Sequence, residues 1–180
     1  VMEVCDDDAI FSVGMGNHTQ YAHQILIRRP DQYIAPLGTG SMAYAFPAGL
    51  GAKLAFPDRQ GVIPLGDGDF GMMTQELETS VREKLPVVVI VYNDSGYGAL
   101  RLFQKVQHSG RYLGSDFGQT DFAKLAEAYG ARGERVEKPD DLRPALERAL
   151  ASDVTYVVDV HTDPWEVHYR APEFKDFHKF

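Results

Sequence analysis

The sequence contains a single cysteine, Cys5, among its 180 residues. One cysteine excludes an internal disulfide framework and also a four-cysteine iron–sulfur cluster carried by this chain. Positive charge is scarce as well, since 18 Lys and Arg stand against 26 Asp and Glu, for a net charge of −8. With no basic stripe to offset that balance, we expect no nucleic-acid partner.

Long apolar runs are also missing, because no stretch of 18 apolar residues and no signal-peptide pattern is present. We therefore expect no membrane partner and a soluble, cytoplasmic protein. The composition is 44% apolar and 24% charged, which predicts one compact domain over residues 1–180 with an aromatic-rich C-terminal tail from about residue 161. The first residue is Val1 rather than Met, which indicates an excised or processed piece.

Two acidic turns each follow a short apolar run. Gly66-Asp67-Gly68-Asp69-Phe70 follows the run 62–65, and Asn93-Asp94-Ser95-Gly96 follows the run 87–91. The glycines permit tight turns whose N–H groups can approach an anion closely, and carboxylate oxygens are hard ligands that suit Mg²⁺ or Ca²⁺. The alternative is a pair of ordinary turns, because both segments are rich in turn-forming residues.

The segment between these turns predicts how they meet. Met72 to Lys84 carries apolar or small residues at helical spacing, at Met73, Leu77 and Ser80. Strand, turn, helix and strand form a right-handed βαβ unit in which both strands are parallel. The carboxyl ends of parallel strands share one sheet edge, where open α/β folds bind ligands. The sequence therefore predicts one metal and phosphate site built from both turns.

A similar layout begins the chain. Ala9 to Val13 is a candidate strand, followed by Gly16-Asn17-His18 and a helix-like stretch through Ile27. A helix that starts after such a turn offers its N-terminus to an anion. Further on, Gly40-Ser41-Met42 lies in a tight loop before a predicted helix over Ala43 to Ala55.

The rest of the sequence continues the alternation of strands and helices. The predicted elements are a helix from Tyr97-Gly98 to about Gln107, a loop over 108–118, a helix over Asp121 to Tyr129, an edge strand over Ala131 to Val136, an amphipathic helix over Pro139 to Leu150 and a last strand over Val154 to Val160. This order predicts a doubly wound α/β fold, with a mostly parallel sheet of about five or six strands and helices on both faces.

At the two acidic turns and the glycine turn before them, the sequence resembles the thiamine-diphosphate-dependent enzymes. The resemblance is to their diphosphate-binding, C-terminal domain, in the acetolactate synthase and benzoylformate decarboxylase branch, and it spans nearly the whole chain. It implies thiamine diphosphate with Mg²⁺ or Ca²⁺ as cofactors. The implied metal ligands are the side chains of Asp67 and Asp94 and the backbone carbonyl of Gly96. Position 94 departs from the family, which usually has Asn there.

The resemblance also implies which residues contact the cofactor. Gly16-Asn17-His18 corresponds to a turn on the diphosphate, Gly40 offers a carbonyl to the aminopyrimidine, and Met42 holds the bent form of the cofactor. The full implied set is Gly16, Asn17, His18, Gly40, Ser41, Met42, Gly66, Asp67, Gly68, Asp69, Phe70, Asp94, Gly96, Tyr97 and Gly98. The alternatives are a solvated or capping role for His18 and plain core packing for Met42.

The resemblance finally implies an incomplete active site. In the family a pyrimidine-binding domain or subunit supplies the activating glutamate, and no segment here resembles it, so no catalytic residue is assigned to this chain. We expect a lyase or transferase acting on a small 2-oxo acid as a decarboxylase or carboligase, inactive without that partner, in a homodimer or homotetramer. The alternatives are the small subunit of a split decarboxylase of the sulfopyruvate type, or a non-catalytic cofactor-binding or oligomerisation module.

The aromatic tail after His161 needs a surface to pack on. Its aromatic and histidine side chains include Trp165, His168, Tyr169, Phe174, Phe177 and Phe180. Packing on the same domain or on a sister subunit is the favoured role for this tail, over catalysis by His168.

Overall fold

The computed structural model of the chain describes residues 1–165, which form one six-stranded sheet with all neighbouring strands parallel. The strand order is β2-β1-β3-β4-β6-β5. The strands are β1 (Ile10–Ser12), β2 (Tyr33–Ile34), β3 (Gly61–Gly66), β4 (Val88–Asn93), β5 (Arg132–Val136) and β6 (Tyr156–His161). The predicted parallel α/β sheet is thus confirmed, although the two-residue β2 was not predicted.

Seven α-helices connect these strands in the described part of the chain. They are α1 (Thr19–Ala22), α2 (Ala45–Ala55), α3 (Asp67–Gly71), α4 (Glu76–Arg82), α5 (Gly98–Gln107), α6 (Phe122–Ala128) and α7 (Pro139–Leu150), with a 3-10 turn at Pro30–Gln32. Within residues 1–165, no helix is long and apolar enough to cross a membrane.

The two faces of the sheet bury separate apolar clusters. Ile63 and Val89 pack on one face among side chains of α2, α3, α4 and α6. Val62 and Val88, their neighbours in sequence, pack on the other face with side chains of α7 and of the chain around α1. Because successive strand residues point to opposite faces, uninterrupted apolar strands such as β3 and β4 require cover on both sides. Helices therefore flank the sheet on both faces, as predicted.

Several helix ends follow their predicted signals. Asp121 caps α6, since its carboxylate accepts a hydrogen bond from the Lys124 N–H at 2.9 Å. Gly130, which follows α6, has φ +84°, a conformation that favours glycine. The predicted bounds of α7 are confirmed at both ends.

Three predicted helices are wrong in extent. The helix after the first strand is the single turn α1, not a helix through Ile27. The helix predicted from Ala43 begins at Ala45, because Ala43 has φ +60° and cannot continue a right-handed helix. The helix predicted over 72–84 is shorter and is preceded by α3, which Gly71 ends; glycine is unfavourable inside helices.

The topology places three turns at one edge of the sheet. From β1 the chain runs outward to β2 and then returns to β3 on the other side of β1, so the strand order reverses there. The turns after β1 (residues 13–18), β3 (residues 66–70) and β4 (residues 93–96) are called the β1, β3 and β4 turns below. All three lie at the carboxyl edge next to this switch point, where doubly wound sheets bind ligands. The residues of the C-terminal tail from 166 onward, including His168, lie outside the described residues. Their predicted role, like the domain boundary of 1–180, stays a prediction.

Candidate functional site

Asp67 joins the two acidic turns. It is the first residue of α3, directly after β3, and is only 3% exposed. Its Oδ1 accepts a hydrogen bond from the Gly68 N–H at 2.9 Å, and its Oδ2 accepts one from the Gly96 N–H at 3.1 Å. Burial and the nearby Asp94 carboxylate raise the pKa of Asp67 to about 7, against the lowering effect of these N–H donors. The two turns therefore contact each other at this edge, and their predicted role as a metal and phosphate site stays a prediction.

Asp94 contributes the second carboxylate, and its side chain is 17% exposed. Burial raises the pKa of Asp94, while Arg101 acts in the opposite direction. The Arg101 Nη1 donates to Asp94 Oδ2 at 3.2 Å. A Cβ at Gly98 would lie 2.5 Å from Asp94 Oδ2 and 3.0 Å from Asn17 Nδ2. The absence of a side chain at position 98 therefore lets the β1 turn and the β4 turn approach each other.

His18, in the β1 turn, lies against the β3 turn. Its ring stacks on Tyr92 with 5.6 Å between centroids, and a Cβ added at Gly66 would meet its Nδ1 at 3.2 Å. Burial lowers the pKa of His18 to about 4, so the imidazole is neutral at pH 7. Its Nε2 is buried without a hydrogen-bond partner among the described residues, and in the tautomer that carries the proton on Nε2 this nitrogen could donate to an anion in the site. His18 is buried, so the alternative of a solvated histidine does not hold.

Asp69 holds two loops in place. Its Oδ2 accepts from the Met15 N–H at 3.2 Å and its Oδ1 from the Ala43 N–H at 2.6 Å. Burial raises the pKa of this carboxyl, and the two N–H donors lower it. A Cβ at Gly14 would collide with Asp69 Oδ2. Both carboxylate oxygens thus anchor backbone of the β1 turn and of the loop before α2, a structural role beside the predicted cofactor contact.

The loop before α2 reaches the β3 turn through Met42. Gly40 has φ +66°, in the region that favours glycine. The Met42 Cε lies 3.5 Å from the position that a Cβ at Gly68 would take, so the half-buried Met42 faces the acidic turn rather than the centre of the core. The Ser41 hydroxyl shares a hydrogen bond of 2.7 Å with Thr39 and is exposed.

Phe70 and Tyr97 take different positions. The Phe70 ring is fully buried in the core between Phe46 and Phe122, so its side chain packs the interior and does not face the turns. Only the backbone of Phe70 could therefore make the predicted cofactor contact, which stays a prediction. Tyr97 lies over Gly68, since a Cβ there would be 2.7 Å from its ring, and it packs edge-on against Phe117.

Metal binding at this edge would rest on few ligands. Among residues 1–165, no group of three His, Cys, Asp or Glu side chains is placed to hold a metal ion. Asp67 and Asp94 could supply two carboxylates and Gly96 a carbonyl, all hard oxygens of the kind that Mg²⁺ takes together with phosphate oxygens and water. Both carboxylates have a raised pKa, and a divalent cation would stabilise their charged forms. The residues therefore fit a hard cation whose shell a phosphate completes.

Two contributors to this edge were missed in the sequence. Arg101 is 4% exposed and donates a hydrogen bond to Asp94. A cationic side chain in the first turn of α5, directly after the acidic turn, was the signal for it. Asp159 is fully buried in β6, where it accepts from Asn93 Nδ2 at 2.9 Å and from the Phe122 N–H at 3.2 Å. A lone carboxylate inside an apolar strand was the signal for it.

The fold and the site define a known class of protein. The family described as "Thiamine pyrophosphate enzyme, C-terminal TPP binding domain" matches residues 14–160. The chain belongs to this family, which confirms the resemblance found in the sequence.

Similar proteins agree with that assignment. The chain is 33% identical over 171 residues to a probable acetolactate synthase large subunit of Methanococcus aeolicus, covering 91% of this chain and 28% of the relative. It is 33% identical over 161 residues to the acetolactate synthase isozyme 2 large subunit of Escherichia coli, covering 88% and 29%. A solved structure, the Rhodococcus jostii RHA1 thiamine diphosphate-dependent 4-hydroxybenzoylformate decarboxylase, aligns with a TM-score of 0.84 and 35% identity, covering 91% of this chain and 31% of that one. The chain thus spans less than a third of these relatives.

Proposed function

We propose that this chain is the cofactor-binding half of a thiamine-diphosphate- and Mg²⁺-dependent 2-oxo-acid decarboxylase or carboligase. The observation that carries the proposal is Asp67, whose two carboxylate oxygens accept from the β3 turn and the β4 turn at once. It stands beside a second carboxylate, Asp94, that raises its pKa. Two like charges held together at the ligand-binding edge of the sheet are stabilised best by a cation between them.

The residues around this pair would divide the binding of the cofactor. Asp67, Asp94 and the Gly96 carbonyl would hold Mg²⁺, and the N–H groups of Asn17 and His18 with the neutral His18 ring would contact the diphosphate, while the Gly16 N–H donates to the Thr19 hydroxyl. When bound, thiamine diphosphate supplies carbanion stabilisation for cleavage beside the 2-oxo-acid carbonyl. The protein's part is to orient the cofactor, with Gly40, Ser41 and Met42 on the side of the aminopyrimidine.

The active site would be completed by another domain or subunit. The chain covers 28% of the Methanococcus relative, and large apolar side chains are exposed on segments that follow the carboxyl ends of the strands, among them Leu37 (73%), Met72 (47%), Leu100 (51%) and Leu113 (86%). Exposed apolar groups of this size fit a protein interface. We propose that a pyrimidine-binding domain or subunit covers them and brings the activating glutamate, within a homodimer or homotetramer.

A second candidate is a cofactor-binding or oligomerisation module without turnover. It is favoured by the Arg101 contact, because that guanidinium already offsets the charge of Asp94 without a metal. It is also favoured by Asp69, whose oxygens are both used inside the protein. Under this hypothesis Asp94 has no task in metal binding.

Calorimetric titration of the chain with thiamine diphosphate tests the proposal. We expect weak binding that requires Mg²⁺, loss of binding in Asp67→Ala, and no decarboxylation of pyruvate or benzoylformate by this chain alone. Asp153→Ala, at a side chain that is 85% exposed, is the matched control and should bind like the parent. Equal binding in EDTA would overturn the metal dependence. Robust turnover by the chain alone would overturn the need for a partner.

A further inference from the structure

Arg101 is a buried cation whose guanidinium donates to four acceptor atoms. It is 4% exposed. Its Nε donates to Asp116 Oδ1 at 2.7 Å, and its Nη1 donates to Asp94 Oδ2 at 3.2 Å and to the Pro164 carbonyl at 3.3 Å. Its Nη2 donates to the Asp94 carbonyl at 3.3 Å. Because an unpaired buried charge is costly, the guanidinium and its acceptors stabilise each other's positions.

These acceptors belong to three separate parts of the chain. Asp94 lies in the acidic turn after β4. Asp116 lies in a segment that pairs antiparallel with that turn: the Tyr97 N–H donates to the Ser115 carbonyl at 2.8 Å, and the Phe117 N–H donates to the Ser95 carbonyl at 3.1 Å. Pro164 lies where the chain has left β6. One side chain thus connects the predicted metal turn, the loop after α5 and the exit from the last strand.

The same contacts change the charge of the site. Asp94 can carry a negative charge at a position where Asn could not, and it is close enough to Asp67 to raise the pKa of that carboxyl. Arg101 supplies the opposite charge at 3.2 Å from Asp94 Oδ2. Gly96 is constrained by the same group, because a Cβ there would collide with Arg101 Nη2.

We propose that Arg101 is a positioning residue for cofactor binding, which orients Asp94 and offsets its extra negative charge beside a metal-bound diphosphate. The inference rests on the proposed function. It predicts that the effect of Arg101 on binding depends on the charge at position 94. It also predicts that replacing Arg101 changes the surroundings of Trp165, whose ring centroid lies 5.9 Å from the Arg101 guanidinium carbon.

A double-mutant cycle tests this proposal on the 180-residue chain. The variants are Arg101→Gln, Asp94→Asn and the pair, with Arg82→Gln, a surface arginine that is 57% exposed, as control. Calorimetric titration with thiamine diphosphate at fixed Mg²⁺ should show a loss of about tenfold or more for Arg101→Gln, but of only about threefold or less in the Asp94→Asn background. Equal losses in both backgrounds would overturn the proposal.

Two further variants separate positioning from plain packing. Asp116→Asn removes the loop carboxylate, which is 63% exposed, and leaves the contact with Asp94, so affinity should stay within about threefold of the parent. If this variant lost as much affinity as Arg101→Gln, the loop contact rather than Asp94 would explain the effect. Arg101→Lys keeps the charge and should regain part of the affinity. A Lys variant that folds but binds no better than Gln would contradict charge compensation.

A readout without cofactor keeps this inference distinct from the proposed function. Trp165 is the only tryptophan in the chain, and its ring contacts Lys105 and Tyr112 as well as Arg101, so its fluorescence reports on this group of side chains. Emission should change in Arg101→Gln and stay unchanged in Arg82→Gln, and thermal unfolding of the four cycle variants should be non-additive. If these hold while the parent chain binds no thiamine diphosphate, the proposed function fails and the positioning of Asp94 stands without a ligand. Additive unfolding with unchanged emission would overturn the inference itself.

Discussion

Asp67 and Asp69 stand two positions apart on α3, yet they serve different parts of the molecule. Both are buried, and both accept backbone N–H donors at each end of the carboxylate. The region around Asp69 consists of the β1 turn and the loop before α2, and none of the groups that determine its pKa is a second carboxylate. The region around Asp67 contains Asp94, which raises the pKa of Asp67 further.

The difference separates an anchor from a binding site. A buried carboxylate whose partners are all N–H groups of the protein is satisfied, and its removal leaves donors unpaired. A buried carboxylate beside another carboxylate carries an unfavourable interaction, which a cation would relieve. Asp159, which binds Asn93 and the Phe122 N–H, belongs with Asp69.

The largest effect is expected at the anchor. Asp69→Ala leaves the N–H groups of Met15 and Ala43 without their acceptor, and two such donors predict a loss of about 3 kcal/mol in the free energy of unfolding. Urea unfolding followed by circular dichroism measures it. Asp69→Asn, which keeps one acceptor oxygen, should lose less, and an unchanged midpoint in the Ala variant would remove Asp69 from the role of anchor.

The pH dependence of stability tests the Asp67 region. The pKa of this acid is raised from 3.8 to about 7 on folding, so the folded chain binds more protons than the unfolded chain between those values. Stability without ligand should therefore fall as pH rises through that window and become level above it.

Asp67→Asn is the matched variant for that profile, because an amide keeps much of the shape and does not ionise. Its stability should lack the Asp67 contribution to the slope between pH 4 and 7. The affinity for thiamine diphosphate with Mg²⁺ should change in the opposite direction in the parent chain, rising as Asp67 ionises. Parallel pH profiles for the parent and Asp67→Asn would contradict the raised pKa.

The smallest effect is expected from the departure at position 94. Asp94→Asn should keep metal-dependent binding of thiamine diphosphate and tighten it, because an amide oxygen still serves a hard cation and one negative charge facing the diphosphate is lost. Asp94→Ala should weaken binding by about tenfold or more, roughly 1.4 kcal/mol. Titrations at fixed Mg²⁺ in which the two variants are indistinguishable would favour the non-catalytic module.

Local patterns predicted most of the elements because their causes are local. The apolar spacing and first-turn proline of α7 are readable within a dozen residues, and so are the Asp121 cap and the Gly130 stop of α6. The Ala43 conformation was not readable in this way. That residue has φ +60° while its N–H donates to Asp69, 26 residues further along the chain, so a distant contact overrides the local helix preference.

The sequence by itself determined the parallel α/β sheet, the family and the two acidic turns, because apolar strands, helical spacing and glycine-acid motifs are patterns of residues close together in the chain. Only the tertiary structure decided the task of each acidic residue. Asp67, Asp69 and Asp94 are the same amino acid in similar turns, and their roles differ because folding places two backbone donors on Asp69, a second carboxylate beside Asp67 and a buried guanidinium beside Asp94. Electrostatic environment is a property of neighbours in space, and the partners of these three residues come from five separate turns and helices.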